Sequence, residues 1–264
     1  MGKVKLRSIS RLIDMEVKDT PVAESFLSDL KATIERVEKD NKRTPSQTYK
    51  PSSLACIRNM YFQVVGATQD PEVKGSILIG IGESGTDRHE RIQRAVSLMK
   101  DYNIDCEYVD VGEYVKEHKF EDIEVVKQSG FETKLFHKDL NMSFLCDGII
   151  KYKGKYYILE IKTETSRKWY DREGVAEEHK NQATAYSLSL HLDDVIFVYE
   201  CRDNCDKKAY MLHVTDEMRQ DLIGKISNCD SYVKNLIPPP KPKEASPKFC
   251  QYCNYKNECK KAGS

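Results

Sequence analysis

Residues 143–163 read SFLCDGIIKYKGKYYILEIKT, a run rich in β-branched and aromatic side chains. This composition predicts two strands, and the Lys-Gly dipeptide at 153–154 between them suits a two-residue hairpin turn. With that turn, continuing the ladder brings Asp147 directly opposite Glu160, with their Cβ atoms about 4.5–5.5 Å apart. The segment therefore predicts an antiparallel hairpin that carries two facing carboxylates.

The facing carboxylates of this hairpin would repel each other unless a cation lies between them or one of them is protonated. A hard divalent ion such as Mg²⁺ or Mn²⁺ meets this need because it prefers oxygen ligands. Side chains alternate along a strand, so Lys162 shares the face of Glu160 and could orient a water or neutralise a phosphoryl oxygen. The alternative is a solvated hairpin face that carries an ordinary cross-strand ion pair.

The remaining periodic segments place the hairpin in an α/β protein. Helices are predicted over 22–40, 85–100, 174–191 and 215–235, strands over 131–136, 194–201 and 208–214, and weaker strands at 107–111 and 123–126. Hairpin-joined strands followed by a crossover helix and a further strand indicate a sandwich with a central mixed sheet. Ser52 or Ser53 is predicted to cap a short helix that includes Cys56. GIGESG at 80–85 lacks a clear preceding strand, so we interpret it as a flexible turn and not as a nucleotide-binding loop.

Three residues outside the hairpin are candidates for the same site. His89 lies on the apolar side of its predicted helix. It becomes a candidate metal ligand because the acidic pair of Asp147 and Glu160 would need a further ligand to hold an ion. Gln182 and Tyr186 are spaced i, i+4, so they share one face of the helix that follows the second hairpin strand. The alternatives are a packed core histidine and an ordinary helix surface.

Nine cysteines in a chain without a signal peptide make a poor disulfide framework and indicate a metal site instead. Three of them form the pattern Cys250-x2-Cys253-x5-Cys259. Iron–sulfur clusters and structural zinc usually take four cysteines, and Cys56, among basic and aromatic residues, is the best fourth candidate. The x5 spacing is unlike common two-knuckle zinc sites, so we favour a 4Fe–4S cluster, with structural Zn²⁺ as the alternative.

Composition and charge limit the class of protein. The 42 basic and 42 acidic residues cancel, so the overall charge gives no argument for a nucleic-acid partner. No stretch approaches the roughly 18 apolar residues of a membrane span, and no secretory signal is evident, so we expect a cytoplasmic protein with no membrane partner. Locally, Arg167, Lys168, Trp169 and Tyr170 could hold phosphates and stack on bases, or form a solvated loop.

Taken together, these residues resemble a known nuclease family. The residues that carry the resemblance are His89, Asp147, Glu160, Ile161, Lys162, Gln182 and Tyr186, bracketed by one early and three late cysteines. The pattern is similar to the RecB-type branch of the PD-(D/E)XK nucleases, and within it to the iron–sulfur group that includes the CRISPR-associated Cas4-type exonucleases and the AddB helicase–nuclease subunit. The resemblance implies a restriction-endonuclease-like α/β core, dependence on Mg²⁺ or Mn²⁺, and cleavage of DNA phosphodiesters, often from single-stranded ends.

The same resemblance implies a role for each matching residue. The implied metal ligands are His89, Asp147, Glu160 and the backbone carbonyl of Ile161. Lys162 would activate or position water, and Gln182 and Tyr186 would contact DNA or support the site. The implied cluster ligands are Cys56, Cys250, Cys253 and Cys259. Glu132, in the preceding strand, loosely matches an acidic residue that such nucleases often carry.

The resulting hypothesis is a metal-dependent DNA exonuclease with a structural 4Fe–4S cluster. Its predicted parts are an N-terminal helical arm (1–44), a helical part (45–105), a nuclease core (106–236) and a Pro-rich linker with the cysteine cluster (237–264). One alternative is a structure-specific endonuclease on the same core. The other is a DNA-binding or assembly subunit with a vestigial site. The implied partners are DNA and proteins of recombination, replication or CRISPR adaptation.

Overall fold

The chain is described here by a computed structural model that covers residues 21–41, 45–70, 75–242 and 247–263. It divides into two compact units. Among the described residues, the smaller unit comprises 21–41 and 75–83, and the larger unit comprises 45–70, 84–242 and 247–263. All the site residues predicted from the sequence belong to the larger unit.

The described residues form nine α-helices and eight strands. In chain order the helices are α1 (Pro21–Asp40), α2 (Ile57–Val64), α3 (Ser76–Ser97), α4 (Val111–Glu117), α5 (Ser166–Tyr170), α6 (Glu177–Leu190), α7 (Asp216–Asn235), α8 (Pro247–Gln251) and α9 (Lys256–Lys261). The strands are β1 (Cys106–Val109), β2 (Ile123–Ser129), β3 (Glu132–His137), β4 (Met142–Cys146), β5 (Gly148–Tyr152), β6 (Lys155–Glu164), β7 (Asp194–Cys201) and β8 (Lys207–His213). Short 3₁₀ turns occur at Pro51–Ser53 and Met99–Tyr102.

The smaller unit contains α1 and the first turns of α3. Helix α1 confirms the helix predicted over 22–40. The carboxylate of Glu35 accepts a hydrogen bond of 2.9 Å from the backbone N–H of Ser76, so α1 is tied to the start of α3. Phe26 and Leu30, two of the apolar residues that give α1 its periodicity, are exposed.

The larger unit is built on a five-stranded sheet with the order β1-β5-β6-β7-β8. Its pairs are antiparallel except for β6 and β7, which are parallel and are joined by the α5–α6 crossover. A second, three-stranded sheet has the order β2-β3-β4. The predicted fold class, a central mixed sheet flanked by helices, is confirmed.

The β5–β6 hairpin has the predicted turn and register. Tyr152 pairs with Lys155, and the two turn residues, Lys153 and Gly154, have φ angles of 49° and 79°. Positive φ at both positions matches the right-handed twist of the strands, which is why a two-residue turn closes this hairpin. The β5–β6 ladder ends at Gly148, one residue short of Asp147. Asp147 is therefore a junction residue between β4 of one sheet and β5 of the other, and not a paired strand position.

Strand β6 lies at the centre of the main sheet and contributes to two apolar layers. Leu159 and Ile161 pack with Ile92 of α3. Ile158, on the opposite face, belongs to the larger core, which also takes in Ala183 from α6. Helices on both faces explain why this strand is apolar nearly throughout, and why the charged residues within it need specific partners.

Two local predictions are wrong. The GIGESG segment is not a turn, because α3 runs without a break from Ser76, and a Cβ on Gly80 or Gly82 would meet nothing within 4 Å. Helical continuity into the amphipathic second half of α3 outweighs the roughly 1 kcal/mol that each glycine costs. The helix near residue 56 begins at Ile57, with Cys56 as its N-cap, whereas Ser53 closes the preceding 3₁₀ turn.

The C-terminal segment packs back onto α2. The guanidinium of Arg58 donates to the carbonyls of Pro239 and Cys259, at 2.7 and 3.0 Å. The ring of Tyr255 lies 6.0 Å from that of Phe62, and Tyr255 is buried. These contacts bring residues from opposite ends of the larger unit together around one short helix.

No helix among the described residues is both long enough and apolar enough to cross a membrane.

Candidate active site

His89, Glu132 and Asp147 converge at one point of the larger unit. Each offers one ligand atom, and these atoms lie within 4.8 Å of one another. They come from α3, from the start of β3 and from the β4–β5 junction, so the fold assembles the group from three separate segments. Within the described ranges it is the only such group of three or more His, Cys, Asp or Glu residues. One imidazole and two carboxylates form a donor set suited to a divalent cation.

The side chain of Asp147 is held on both oxygens. Oδ1 lies 3.1 Å from Nδ1 of His89, and Oδ2 accepts a 2.7 Å hydrogen bond from the backbone N–H of Ile161. The carbonyl of Asp147 accepts a 2.6 Å hydrogen bond from Gln93, one turn after His89 on α3. Both the backbone and the carboxylate of this residue are therefore fixed before any ligand binds.

Tyr108 and Gly148 support the junction at Asp147. The hydroxyl of Tyr108 lies 2.8 Å from the carbonyl of Phe131 and 3.1 Å from that of Asp147. A Cβ added to Gly148 would lie 2.6 Å from Cε2 of the tyrosine ring. Glycine is required at this position because the aromatic ring approaches the backbone so closely.

Glu160 is a buried carboxylate with one unpaired oxygen. It is 2% exposed, and Oε1 accepts a hydrogen bond from Nζ of Lys162. Oε2 is buried and has no hydrogen-bond partner among the described residues. A buried acceptor left unpaired costs about 1–3 kcal/mol, and a cation beside it would remove that penalty. The orphan oxygen and the nearby trio thus fit a divalent ion.

A polar chain links Glu160 on β6 to helix α6. Nζ of Lys162 also donates to Oε1 of Gln182 at 2.8 Å, and Nε2 of Gln182 donates to the hydroxyl of Tyr186 at 2.5 Å. Tyr186 is buried, and its ring stacks on Phe144 at 5.1 Å. Each donor in the chain has a defined acceptor, so the ammonium of Lys162 is held in one place.

The electrostatics of the site follow from burial and mutual proximity. Burial, followed by the negative charge of Asp147, raises the pKa of Glu160 to about 7, against the opposing effect of Lys162. Burial on its own would lower the pKa of His89, but the hydrogen bond and charge of Asp147 outweigh it and raise that pKa. The pKa rise at Glu160 comes chiefly from burial, whereas the rise at His89 comes from the neighbouring carboxylates of Asp147 and Glu160. Such a concentration of carboxylates attracts a cation.

The structure brings most of the predicted site residues together. His89 and Asp147 fall in the converging trio, whose third member is the loosely matched Glu132. Glu160 lies outside the trio, and its Oε1 accepts a hydrogen bond from Lys162. Ile161 contacts the site through its backbone N–H, which donates to Oδ2 of Asp147.

Sequence reasoning missed two supporting residues. Gln93 follows His89 by four positions, so helical spacing on α3 could have identified it. No local pattern indicates Tyr108. Its place beside Asp147 depends on the pairing of β1 with β5, which joins segments about 40 residues apart in the chain.

One predicted contact with nucleic acid is not available. Trp169 is only 6% exposed, donates from Nε1 to the carbonyl of Tyr199, and is covered by the ammonium of Lys208 at 4.4 Å from its ring. Its ring is an internal packing element and cannot stack on a base. Tyr170, the next residue, is exposed.

The four predicted cluster cysteines are gathered around the N-terminus of α2. Cys56 is the N-cap, and the side chains of Asn59 and Arg58 donate to the sulfurs of Cys253 and Cys259, at 3.3 and 3.4 Å. Burial raises the pKa of the Cys56 thiol, backbone hydrogen bonds at the helix start lower it, and the nearby Cys253 and Cys250 raise it further. The N–H and guanidinium donors around these sulfurs suit thiolate ligands.

Comparisons with known proteins give the following results. No protein-family model matches the sequence. A comparison with curated proteins also finds no match. Among solved structures, SSO0001 is similar over 88% of this chain and 96% of its own, with 15% identity and a TM-score of 0.46.

An alkaline exonuclease, LHK-Exo from Laribacter hongkongensis, is similar over 73% of this chain and 90% of its own, with 13% identity and a TM-score of 0.47. Its complex with dAMP has 12% identity and a TM-score of 0.45 over the same shares. Similarities at this level carry no argument about chemistry, which rests on the site itself.

Proposed function

We propose that this chain is a metal-dependent DNA exonuclease that hydrolyses phosphodiester bonds in single-stranded DNA or at DNA ends. The observation that carries the proposal is the buried, unpaired Oε2 of Glu160 beside the trio of His89, Glu132 and Asp147, with Lys162 on the same strand. Excess buried negative charge with an adjacent fixed ammonium suits a reaction at a phosphate held by a cation.

Each group of the site has a task in this reaction. His89, Glu132 and Asp147 would hold the ion, and Glu160 would complete its ligands through Oε2. A bound Mg²⁺ or Mn²⁺ supplies Lewis-acid polarisation of the scissile phosphate and lowers the pKa of a coordinated water. Lys162 would orient the attacking water or neutralise a phosphoryl oxygen.

The second part of the site would keep this lysine in position. Gln182 fixes the ammonium of Lys162 through its side-chain oxygen and is itself fixed by Tyr186, which is buried against Phe144. Pre-positioned charges need no reorganisation when charge develops on the phosphate. We therefore assign Gln182 and Tyr186 to positioning Lys162 and not to direct chemistry.

We also propose that Cys56, Cys250, Cys253 and Cys259 hold a structural 4Fe–4S cluster. Support comes from the gathering of these cysteines around the start of α2 and from the donors to the sulfurs of Cys253 and Cys259. The cluster would fasten the C-terminal segment to α2 and stabilise the fold by restricting the unfolded chain.

The cluster assignment is tested on protein purified without oxygen. Wild-type protein should contain about four iron atoms per chain and absorb visible light as a brown chromophore. Cys250→Ala should lose iron and chromophore, whereas Cys205→Ala, which alters an exposed cysteine outside the proposed ligand set, should keep both. Zinc in place of iron in the wild-type protein would refute the cluster.

The activity is tested by comparing linear with covalently closed circular single-stranded DNA in the presence of Mg²⁺ or Mn²⁺. An exonuclease degrades the linear substrate only. Lys162→Ala should abolish the reaction, and Lys155→Ala, an exposed lysine at the far end of the same strand, should leave it intact. Degradation in the Lys162 variant would refute the assigned site.

Two other outcomes point to different functions. Cutting of both substrates would indicate an endonuclease on the same core. No cutting of either, with the cluster present, would indicate a DNA-binding or assembly subunit. The intact constellation of Glu160, Lys162 and the trio favours catalysis over that last reading.

A further inference from the structure

A pocket lies beside the candidate active site, where the parallel strands β6 and β7 end. Its volume is about 240 Å³, and Lys162 forms the wall that it shares with the site. The rest of the lining includes Thr163, Glu164, Thr165, Lys168, His179 and Arg202. In open α/β sheets, ligands bind in the crevice at the carboxyl ends of the parallel strands.

The charges around this pocket do not cancel. Its carboxylate, Glu164, is bound by Arg172 through two hydrogen bonds of 2.6 and 2.5 Å, and Arg172 lies over the ring of Tyr199. The charges of Glu164 and Arg172 therefore cancel each other. Among the described residues, the ammonium of Lys168 and the guanidinium of Arg202 form no ion pair within 4 Å, although the charge of Lys168 also acts on the nearby carboxylate of Glu178. The pocket therefore presents two cations that are not engaged in a close ion pair.

The neutral groups of the pocket suit the same ligand. The guanidinium of Arg202 is oriented by Thr163, through the side-chain oxygen at 3.3 Å and the carbonyl at 3.2 Å. Because the side-chain oxygen of Thr163 accepts a hydrogen bond from Arg202, the hydroxyl hydrogen of Thr163 remains available to an acceptor in the pocket. A fixed guanidinium, a flexible ammonium and a hydroxyl donor are the groups that bind a phosphate.

We propose that this pocket binds a second phosphate of the DNA strand, next to the phosphate that lies at the metal site. The proposal rests on the proposed function, because Lys162 joins the two sites and a ligand that reaches both must carry consecutive phosphates. The enzyme would then recognise a strand by its charge spacing and would bind a lone nucleotide poorly. Arg202 and Lys168 are the residues of this subsite.

The test uses single-stranded oligonucleotides in which one phosphate at a time is replaced by a neutral methylphosphonate. Affinity is measured by fluorescence anisotropy with a metal chelator present, and cleavage is measured with Mn²⁺. For wild-type protein we expect the replacement at one position next to the scissile phosphate to lower the affinity about tenfold, which is the effect of one charge-assisted hydrogen bond. In Arg202→Gln and in Lys168→Gln that penalty should fall to less than twofold.

Arg167→Gln is the matched control, because it removes one positive charge from the same short helix at a residue that does not line the pocket. It should keep the full tenfold penalty. A penalty that persists in both pocket variants, or its absence from wild-type protein that still cleaves, would overturn the subsite alone. A position-specific penalty in binding without any cleavage would support the subsite and overturn the nuclease.

Competition with inorganic phosphate distinguishes a subsite for a strand phosphate from a site for a free anion. We expect it to compete weakly with the oligonucleotide, because it reaches only one of the two sites. Tight binding of inorganic phosphate that depends on Arg202, together with no position-specific penalty on DNA, would overturn the proposal in favour of a free anion.

Discussion

Glu200 on β7 is completely buried and accepts hydrogen bonds from Arg91 on both carboxylate oxygens, at 2.6 and 2.8 Å. Arg88 donates to the same carboxylate at 2.7 Å. The two arginines flank His89 on α3, so one buried group on the sheet fixes the helical turn that carries a candidate metal ligand. This relationship couples the packing of α3 to the geometry of the site.

We therefore predict that Glu200→Gln weakens metal binding without altering any ligand. Partners that orient ligands typically contribute 10–100-fold to metal affinity, so we expect a loss of that order for Mn²⁺ in a calorimetric titration. Asp194→Asn is the matched control, since Asp194 is a buried carboxylate on the same strand with His213 and Lys155 as partners. Equal Mn²⁺ affinities in the two variants would refute the positioning role.

Metal binding should stabilise the fold. An ion present at 100 times its dissociation constant adds about 2.7 kcal/mol to the free energy of unfolding. Asp147→Asn should abolish this gain, and its side-chain oxygen can still accept from the N–H of Ile161. Asp147→Ala is a poorer test because it leaves that buried N–H unpaired. A full metal-dependent gain in Asp147→Asn, measured by urea unfolding, would remove Asp147 from the ligand set.

Gly148 should tolerate no side chain. Gly148→Ala places a methyl group 2.6 Å from the Tyr108 ring, and the resulting overpacking should lower the free energy of unfolding by about 1–3 kcal/mol. Gly224→Ala, within α7 and with nothing within 4 Å, should raise it by up to about 1 kcal/mol. Urea unfolding of both variants checks the difference, and a neutral Gly148→Ala would contradict the close approach.

The ionisation of Asp194 should make the free energy of unfolding depend on pH in the acidic range. Burial on its own would raise the pKa of Asp194, but the hydrogen bonds from Lys155 and His213 lower it below the usual aspartate value of about 4. Its stabilising contribution is therefore present at neutral pH and is lost as the pH falls from about 4 through the lowered folded-state pKa. The stability difference between wild-type protein and Asp194→Asn should shrink over that range. A constant difference down to pH 3 would contradict the lowered pKa.

Local sequence was enough for the hairpin and for most of the elements. Lys153-Gly154 adopts the turn that its residues favour, and that turn fixes the register of the strands on either side. These features depend on neighbours in the chain and on an alternation of period two, so they can be read without knowing the fold. The helices over 21–40 and 216–235 likewise follow from their own periodicity.

Tertiary structure determined what local patterns could not express. Glu132 joins His89 and Asp147 only because the β4–β5 junction passes between the two sheets, and Tyr108 supports that junction across an edge pairing. The burial of Glu200 beneath α3 arises in the same way, from segments more than 100 residues apart in sequence. Distances between such segments are set by how sheets and helices pack, and a pattern confined to one stretch of chain carries no information about them.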